Sequence, residues 1–213
     1  MTRPSTGTDL KLIEAGKKIV RKEGLVGLSA RQVCKEAGVN LGMFHYHFKS
    51  KENFEQEVLK EIYAEFMARL KVEAAAGADA RARLKNTLCT LARFARDNRE
   101  VLLSIFRDVL SGRREILFFI KKNFGAHIRL IVDLINDCKK VGVIGDYPLS
   151  VTLPMLMPPI ALPGLAVGIV EKLDAGPFFP VAFAVIKRQL ISDSAIELRV
   201  ELALRGLAPG GTK

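Results

Sequence analysis

The sequence predicts an all-α protein: a small N-terminal head of three helices that contains a helix-turn-helix, followed by a larger helical body. Three observations lead there. Apolar residues recur at spacings of three and four along nearly all 213 residues, and no stretch alternates as a strand would. Two short helix signals flank Ala37-Gly38-Val39, close enough that only a tight turn can join them. The stretch that holds this turn, Leu28 to Lys51, also concentrates aromatic and cationic side chains.

The first helix is expected from Asp9, as N-cap, to Glu23, with Leu12, Ala15, Gly16, Ile19 and Val20 on one face and Gly24 ending it. Ser29 followed three positions later by Gln32 has the form of a capping box, so the second helix starts near Ser29 and carries Val33 and Ala37 as apolar positions. Gly38 supplies a left-handed residue for the turn, and Asn40 is a good N-cap for the third helix. On that helix Phe44 and Phe48, four apart, share a face and should be core, with Leu41 nearer the buried side. Gly42, Met43 and Tyr46 fall roughly opposite them. His45, His47, Lys49 and Lys51 gather around the exposed face and its C-terminal end, where phosphate oxygens can accept their hydrogen bonds. The helix is therefore read as one that enters a DNA groove. His45 and His47, two residues apart on a helix, do not face each other, so no metal is expected there, and no cofactor elsewhere.

Residues 9 to 60 resemble the N-terminal domain of TetR/AcrR-type transcriptional regulators. The resemblance rests on Leu12-Ile13-Glu14-Ala15, Gly24, Leu28-Ser29-Ala30-Arg31-Gln32-Val33, Ala37-Gly38-Val39, Gly42, His47-Phe48 and Lys51-Glu52. It implies that Ser29, Arg31, His45, His47 and Lys51 hold phosphates while Gly42, Met43 and Tyr46 approach base edges. Two positions depart from the family's pattern, which usually has Tyr at His45 and a small or hydroxylated residue at Met43.

Charge agrees with a polyanion partner. The formal net charge is +10, and residues 1–51, with ten Lys and Arg against four Asp and Glu, supply +6 of it. Cys34, Cys89 and Cys138 have no zinc-like spacing, and an odd count argues against a disulfide framework, so they read as reduced thiols in a cytoplasmic protein. Met1 to Thr8 is polar, so no secretory signal is expected. The uncharged run Tyr147 to Val170 is long enough to cross a bilayer. Pro154, Pro158, Pro159 and Pro163 each remove a backbone donor that lipid cannot replace, so a buried, kinked segment is expected and no membrane partner.

Beyond the head, Ser50 caps a longer helix in which Phe54, Val58, Ile62, Phe66 and Leu70 recur every four residues and Glu52 complements the N-terminal dipole. Ala74 to Ala78 is the expected joint. Asp79 then opens a helix carrying Leu84, Leu88, Leu91 and Ala95, and Asn98 caps a short one with Val101, Leu102, Ile105, Phe106 and Val109. One long helix is expected from Arg113 to Val141, ended by Gly142, and its middle, Ile116 to Ile120, is apolar on more than one face, as for a helix enclosed by others. After the proline-rich segment come a break at Asp174 to Pro177, a helix from Phe178 to Ile191 and a last one from Ser194 to Arg205. The domains are accordingly 1–50, a DNA-binding head; 51–207, a helical body; and 208–213, a disordered tail.

The family resemblance implies that the body forms a homodimer and encloses a small, mostly apolar effector whose binding swings the helix after the head and releases a palindromic operator. The dimer surface would come from Leu149 to Lys172 and Phe178 to Ile191. Phe178, Phe179, Phe183, Val185 and Ile186 fit either that surface or a subunit core. Phe106, Phe118, Phe119, Phe124, Met155 and Met157, with His127 as a polar anchor beside Arg129 and Asn136, are candidates for an effector pocket, against the plainer reading that they are core. Two other classes stand beside this one. One is a ligand-independent DNA-binding protein whose body docks a protein partner. The other is an enzyme, for which the sequence offers no GxSxG, no glycine-rich phosphate loop and no HExxH.

Overall fold

A computed structural model describes residues 7–173 and 182–210 of the chain, with the side chains of 182–184 excepted. The described residues form eleven α-helices and one 3-10 turn, with no strand among them. They divide into two compact units, Met1–Phe66 with Glu100–Asn123, and Met67–Arg99 with Phe124–Lys213. The head expected over 1–50 lies within the first.

In the first unit α1 (Thr8–Glu23), α2 (Ala30–Ala37) and α3 (Leu41–Phe48) pack on one another, and α4 (Lys51–Ala75) begins beside them. All five residues expected on the inner face of α1 are buried. Gly16 has a steric reason: a Cβ there would come within 2.7 Å of the Phe54 ring and 2.8 Å of Val58. The rings of Phe44 and Phe48 close on Phe54 at centroid distances of 5.0 and 4.7 Å. Lys17 is buried between Glu14, at 2.6 Å, and Glu65 of α4, which also accepts from Arg21 at 2.9 Å. Burial alone would lower the Lys17 pKa, yet the two carboxylates outweigh it and hold the pKa above its ordinary value.

The helices α6 (Arg99–Leu110) and α7 (Arg114–Asn123) complete this unit. The hydroxyl of Ser104 accepts from the Leu25 amide at 3.1 Å, just after the α1 stop at Gly24, whose φ of 72° suits glycine and whose missing Cβ would lie 2.3 Å from that hydroxyl. Buried Glu55 of α4 meets Arg113, which also donates to buried Asp108 at 2.9 Å.

In the second unit α5 (Ala80–Asp97) lies against α8 (Gly125–Lys140), α9 (Leu149–Lys172) and α11 (Asp193–Gly206), while α10 (Ala182–Ile191) packs on α9 and α11. Leu84, Leu88, Ile131, Ile135, Leu156 and Val200 form the centre of its core. Gly164 lets α9 approach the α5 backbone at Ala95 and Arg96, where a Cβ would sit 3.3–3.4 Å away.

Several local expectations are corrected. Asp9 does not cap α1; Gly7 holds the cap position and the Asp9 carboxylate accepts from the next amide, Leu10, at 2.9 Å. Asn98 also closes α5, by donating to Phe94 O at 3.0 Å. The single long helix from Arg113 is two helices, broken at Asn123–Gly125. There the Tyr63 hydroxyl donates to Asn123 O at 2.6 Å, taking a carbonyl that a continuous helix would use. Of its apolar middle only Ile116 and Phe119 are buried, whereas Leu117 and Phe118 are exposed.

The proline-rich segment is one helix, α9, and it is not buried as expected: only 28% of its most apolar window is covered. By length and composition alone it could cross a membrane. Each proline frees the carbonyl four residues before it. The one freed by Pro163, on Pro159, accepts from Arg199 Nε of α11 at 3.1 Å, and the same guanidinium donates to Leu190 O at 2.6 Å. The expected break at 174–177, the start of the helix at Phe178 and the residues Phe178, Phe179 and Phe183 lie outside the described residues, as does the end of the tail.

Candidate DNA-binding face

Local chemistry fixes the two helices of the motif. Ser29 Oγ accepts from Gln32 N at 3.2 Å, which starts α2, but the second half of the capping box is absent, since the Gln32 side chain donates to Glu23 instead. The Ser29 hydroxyl keeps its own proton for an outside acceptor. Gly38 takes φ 67°, its amide donates to Cys34 and Lys35 carbonyls, and Asn40 Oδ1 accepts from Met43 N at 3.0 Å to start α3. A Cβ on Gly42 would come within 3.2 Å of that cap oxygen, so glycine serves the cap as well as the exposed face.

Phe44 and Phe48 turn inward and are buried, which presents the opposite face of α3 outward. Gly42 and His45 are exposed, Met43 is half-buried, and Tyr46 is 54% exposed with its ring edge-on to His47. Arg31 and Ser29 are exposed at the start of α2. Leu41 differs from expectation: its spacing to Phe44 and Phe48 keeps it on their side, but as the first residue of α3 it is 39% exposed.

The cations differ in how free they are. His47 is half-buried and its Nε2 is enclosed without a hydrogen-bond partner, so a phosphate contact from His47 has to use Nδ1. The Lys51 amine lies 3.6 Å from the Glu55 carboxylate one turn on, and Glu55 is shared with Arg113. This Lys51–Glu55–Arg113–Asp108 chain ties a candidate phosphate residue to the α6–α7 corner. The Lys51–Glu55 spacing of four is visible in sequence; Arg113, 58 residues away from Glu55, has no local signal. Glu52 at the α4 start is held below the usual carboxylate range, first by its own backbone amide and then by the Ser50 hydroxyl.

The seven effector candidates divide between the units. Phe106 and Phe118 are exposed and Phe119 buried in the first; Phe124, His127, Met155 and Met157 belong to the second. Phe124 and His127 meet edge-on at 5.3 Å, and burial pulls the His127 pKa below its ordinary value, favouring the neutral ring. Met155 is exposed, and Met157 packs against the core of its unit. An open groove of about 820 Å³ on the second unit is lined by other residues, among them Val185, Arg188, Ser192 and Leu198.

Residues 12–58 match the family described as bacterial regulatory proteins, tetR family. A curated relative, the HTH-type transcriptional repressor KstR2 of Rhodococcus jostii, is 26% identical over 107 residues; the match spans 50% of this chain and about half, 52%, of that protein. Among solved structures, a TetR transcription regulator from Haloarcula marismortui aligns with a TM-score of 0.74 at 15% identity, over 96% of this chain and all of the other. A transcriptional regulator from Saccharomonospora viridis, solved in complex with choline, aligns with 0.68 at 19% identity, over 87% and 94%. At these identities the structures establish the fold, including the helical second unit.

Proposed function

We propose that the chain is a repressor of the tetR family, which residues 12–58 match, and that it binds a palindromic operator as a homodimer and is released by a small molecule. The observation that carries the DNA-binding part is the outward face of α3: Phe44 and Phe48 anchor the helix, exposed Gly42 and Tyr46 and half-buried Met43 lie on the opposite side, and cations flank them. Tyr46 and Met43 approach base edges and set sequence choice. Ser29, Arg31, His45 and Lys51 hold phosphates and set register and affinity, with His47 contributing through Nδ1.

One head covers too few base pairs for useful selectivity, so two copies act together on half-sites about 34–36 Å apart. The surface for that pairing is the outer side of α9, which shows Val151, Met155, Leu162 and Ile169 to solvent, continued by Val185 and Ile186 of α10. An apolar stripe of this length on a helix needs a cover, and a second copy supplies it without a new partner. That a small molecule binds is supported by the choline-bound structure of the same fold. The effector enters the second unit, and its preference for one conformation of the body lowers the share of DNA-competent protein.

Selection of bound sequences from random duplex DNA by the purified protein tests this reading. The expected product is an inverted repeat whose half-site centres are about one helical turn apart. A non-palindromic consensus contradicts the paired heads, and no enrichment at all contradicts base reading by α3.

A further inference from the structure

Among the described residues one non-glycine has a left-handed backbone: Lys49, at φ 64° and ψ −48°. Ser50 N donates back to Phe48 O at 2.7 Å, so Lys49 is the central residue of a γ-turn of the rare, strained hand. A side chain on this backbone crowds the neighbouring carbonyl, which is why glycine or asparagine normally fills such positions. The surroundings hold the turn closed. Phe48 O accepts a second hydrogen bond from the Asn53 side-chain amide at 3.2 Å, Asn53 N donates to Ser50 Oγ at 3.2 Å, and Lys49 N itself donates to His45 O at 3.1 Å. Four hydrogen bonds therefore fix a conformation that the residue type disfavours.

The charge explains why a lysine is there. Lys49 is exposed at the C-terminal end of α3, between His47 and Lys51 in sequence, and its amine meets no carboxylate or carbonyl among the described residues. Lys51, by contrast, shares its amine with Glu55. We infer that Lys49 is a dedicated phosphate anchor of the DNA-binding face, aimed by a strained turn whose conformation is kept at the expense of stability. The ligand is the phosphodiester backbone of duplex DNA. Strain of this kind collects at functional sites when the neighbours over-determine it, and here Ser50 and Asn53 do so. The inference rests on the DNA-binding reading above, and to the cation already expected near the phosphates it adds a strained turn that aims it and a linked cost in stability.

The test uses the full chain, a mixed-sequence DNA duplex, and three variants. Lys49→Gly removes the amine and relieves the backbone; Lys49→Ala removes the amine and keeps the strain; Lys49→Arg keeps both. The expected result is that Gly and Ala each reduce the slope of log K against log salt by about 0.9 per subunit and weaken binding about fivefold to tenfold at fixed salt. Arg leaves the slope in place. Lys49→Gly alone also raises the melting temperature by about 3 °C. Wild-type binding with an unchanged slope in Lys49→Gly overturns the phosphate anchor, and a loss of slope without the rise in melting temperature overturns the strain. A wild-type protein that binds no duplex overturns the DNA-binding reading and this inference with it.

Discussion

Glu55 shows how one side chain can serve two ends of a unit. It is 2% exposed, yet it carries a charge that Arg113 and Lys51 compensate from different directions. A carboxylate so enclosed is tolerable only while its cation stays in place, and removal of one partner leaves the other desolvated and alone. Glu55→Ala should therefore lower stability by about 3 kcal/mol in urea denaturation at neutral pH. A double-mutant cycle with Arg113→Ala should show coupling of about 1–3 kcal/mol, because Arg113 without Glu55 keeps Asp108, at 2.9 Å, and the more distant Glu115, at 3.7 Å. An unfolding midpoint unmoved by Glu55→Ala would mean that water, and not Arg113, balances the charge.

At the scale of elements, α9 is the clearest case of a helix that sequence composition argues against. Four prolines interrupt its hydrogen-bond ladder, and Arg199 of α11 repairs one of the gaps at Pro159 O while also capping α10 at Leu190 O. Burial holds the Arg199 pKa below its ordinary value, as expected for a guanidinium whose partners are carbonyls. Arg199→Met keeps much of the side chain's volume and removes the donors. It should cost about 2 kcal/mol and lower the melting temperature, whereas an unchanged melt would show that α9 does not depend on this latch. The same element marks where sequence reasoning stops. Ser29, Asn40, Ser50 and Asp79 were legible as caps because a cap is satisfied within three residues. The break at Asn123 was not, because the group that takes its carbonyl, Tyr63, lies 60 residues earlier. The apolar pair Leu117–Phe118 fits an enclosed helix by its pattern, yet it is exposed, since periodicity gives the width of an apolar face but not whether another helix covers it. In the candidate site the inward and outward faces of α3 were legible from Phe44 and Phe48. The enclosure of His47 Nε2 and the hold of Arg113 on Glu55 depend on tertiary neighbours and were not, and the left-handed Lys49 carries no glycine or asparagine to signal it.

For the molecule as a whole, the first unit offers DNA a rigid helix and the second offers an apolar helix face that a second copy can cover. Labour is divided along α3: aromatic and apolar side chains read bases, and cations hold the backbone. The direct measurement compares Tyr46→Ala and Lys51→Ala for binding to a selected site and to a mixed-sequence duplex across a salt series. Tyr46→Ala is expected to cost about 1–3 kcal/mol on the selected site, with little change on mixed DNA and an unaltered salt slope. Lys51→Ala is expected to weaken both DNAs alike and to flatten the slope by about 0.9 per subunit. Equal losses on the two DNAs for Tyr46→Ala would contradict base reading by α3 and, with it, the central claim.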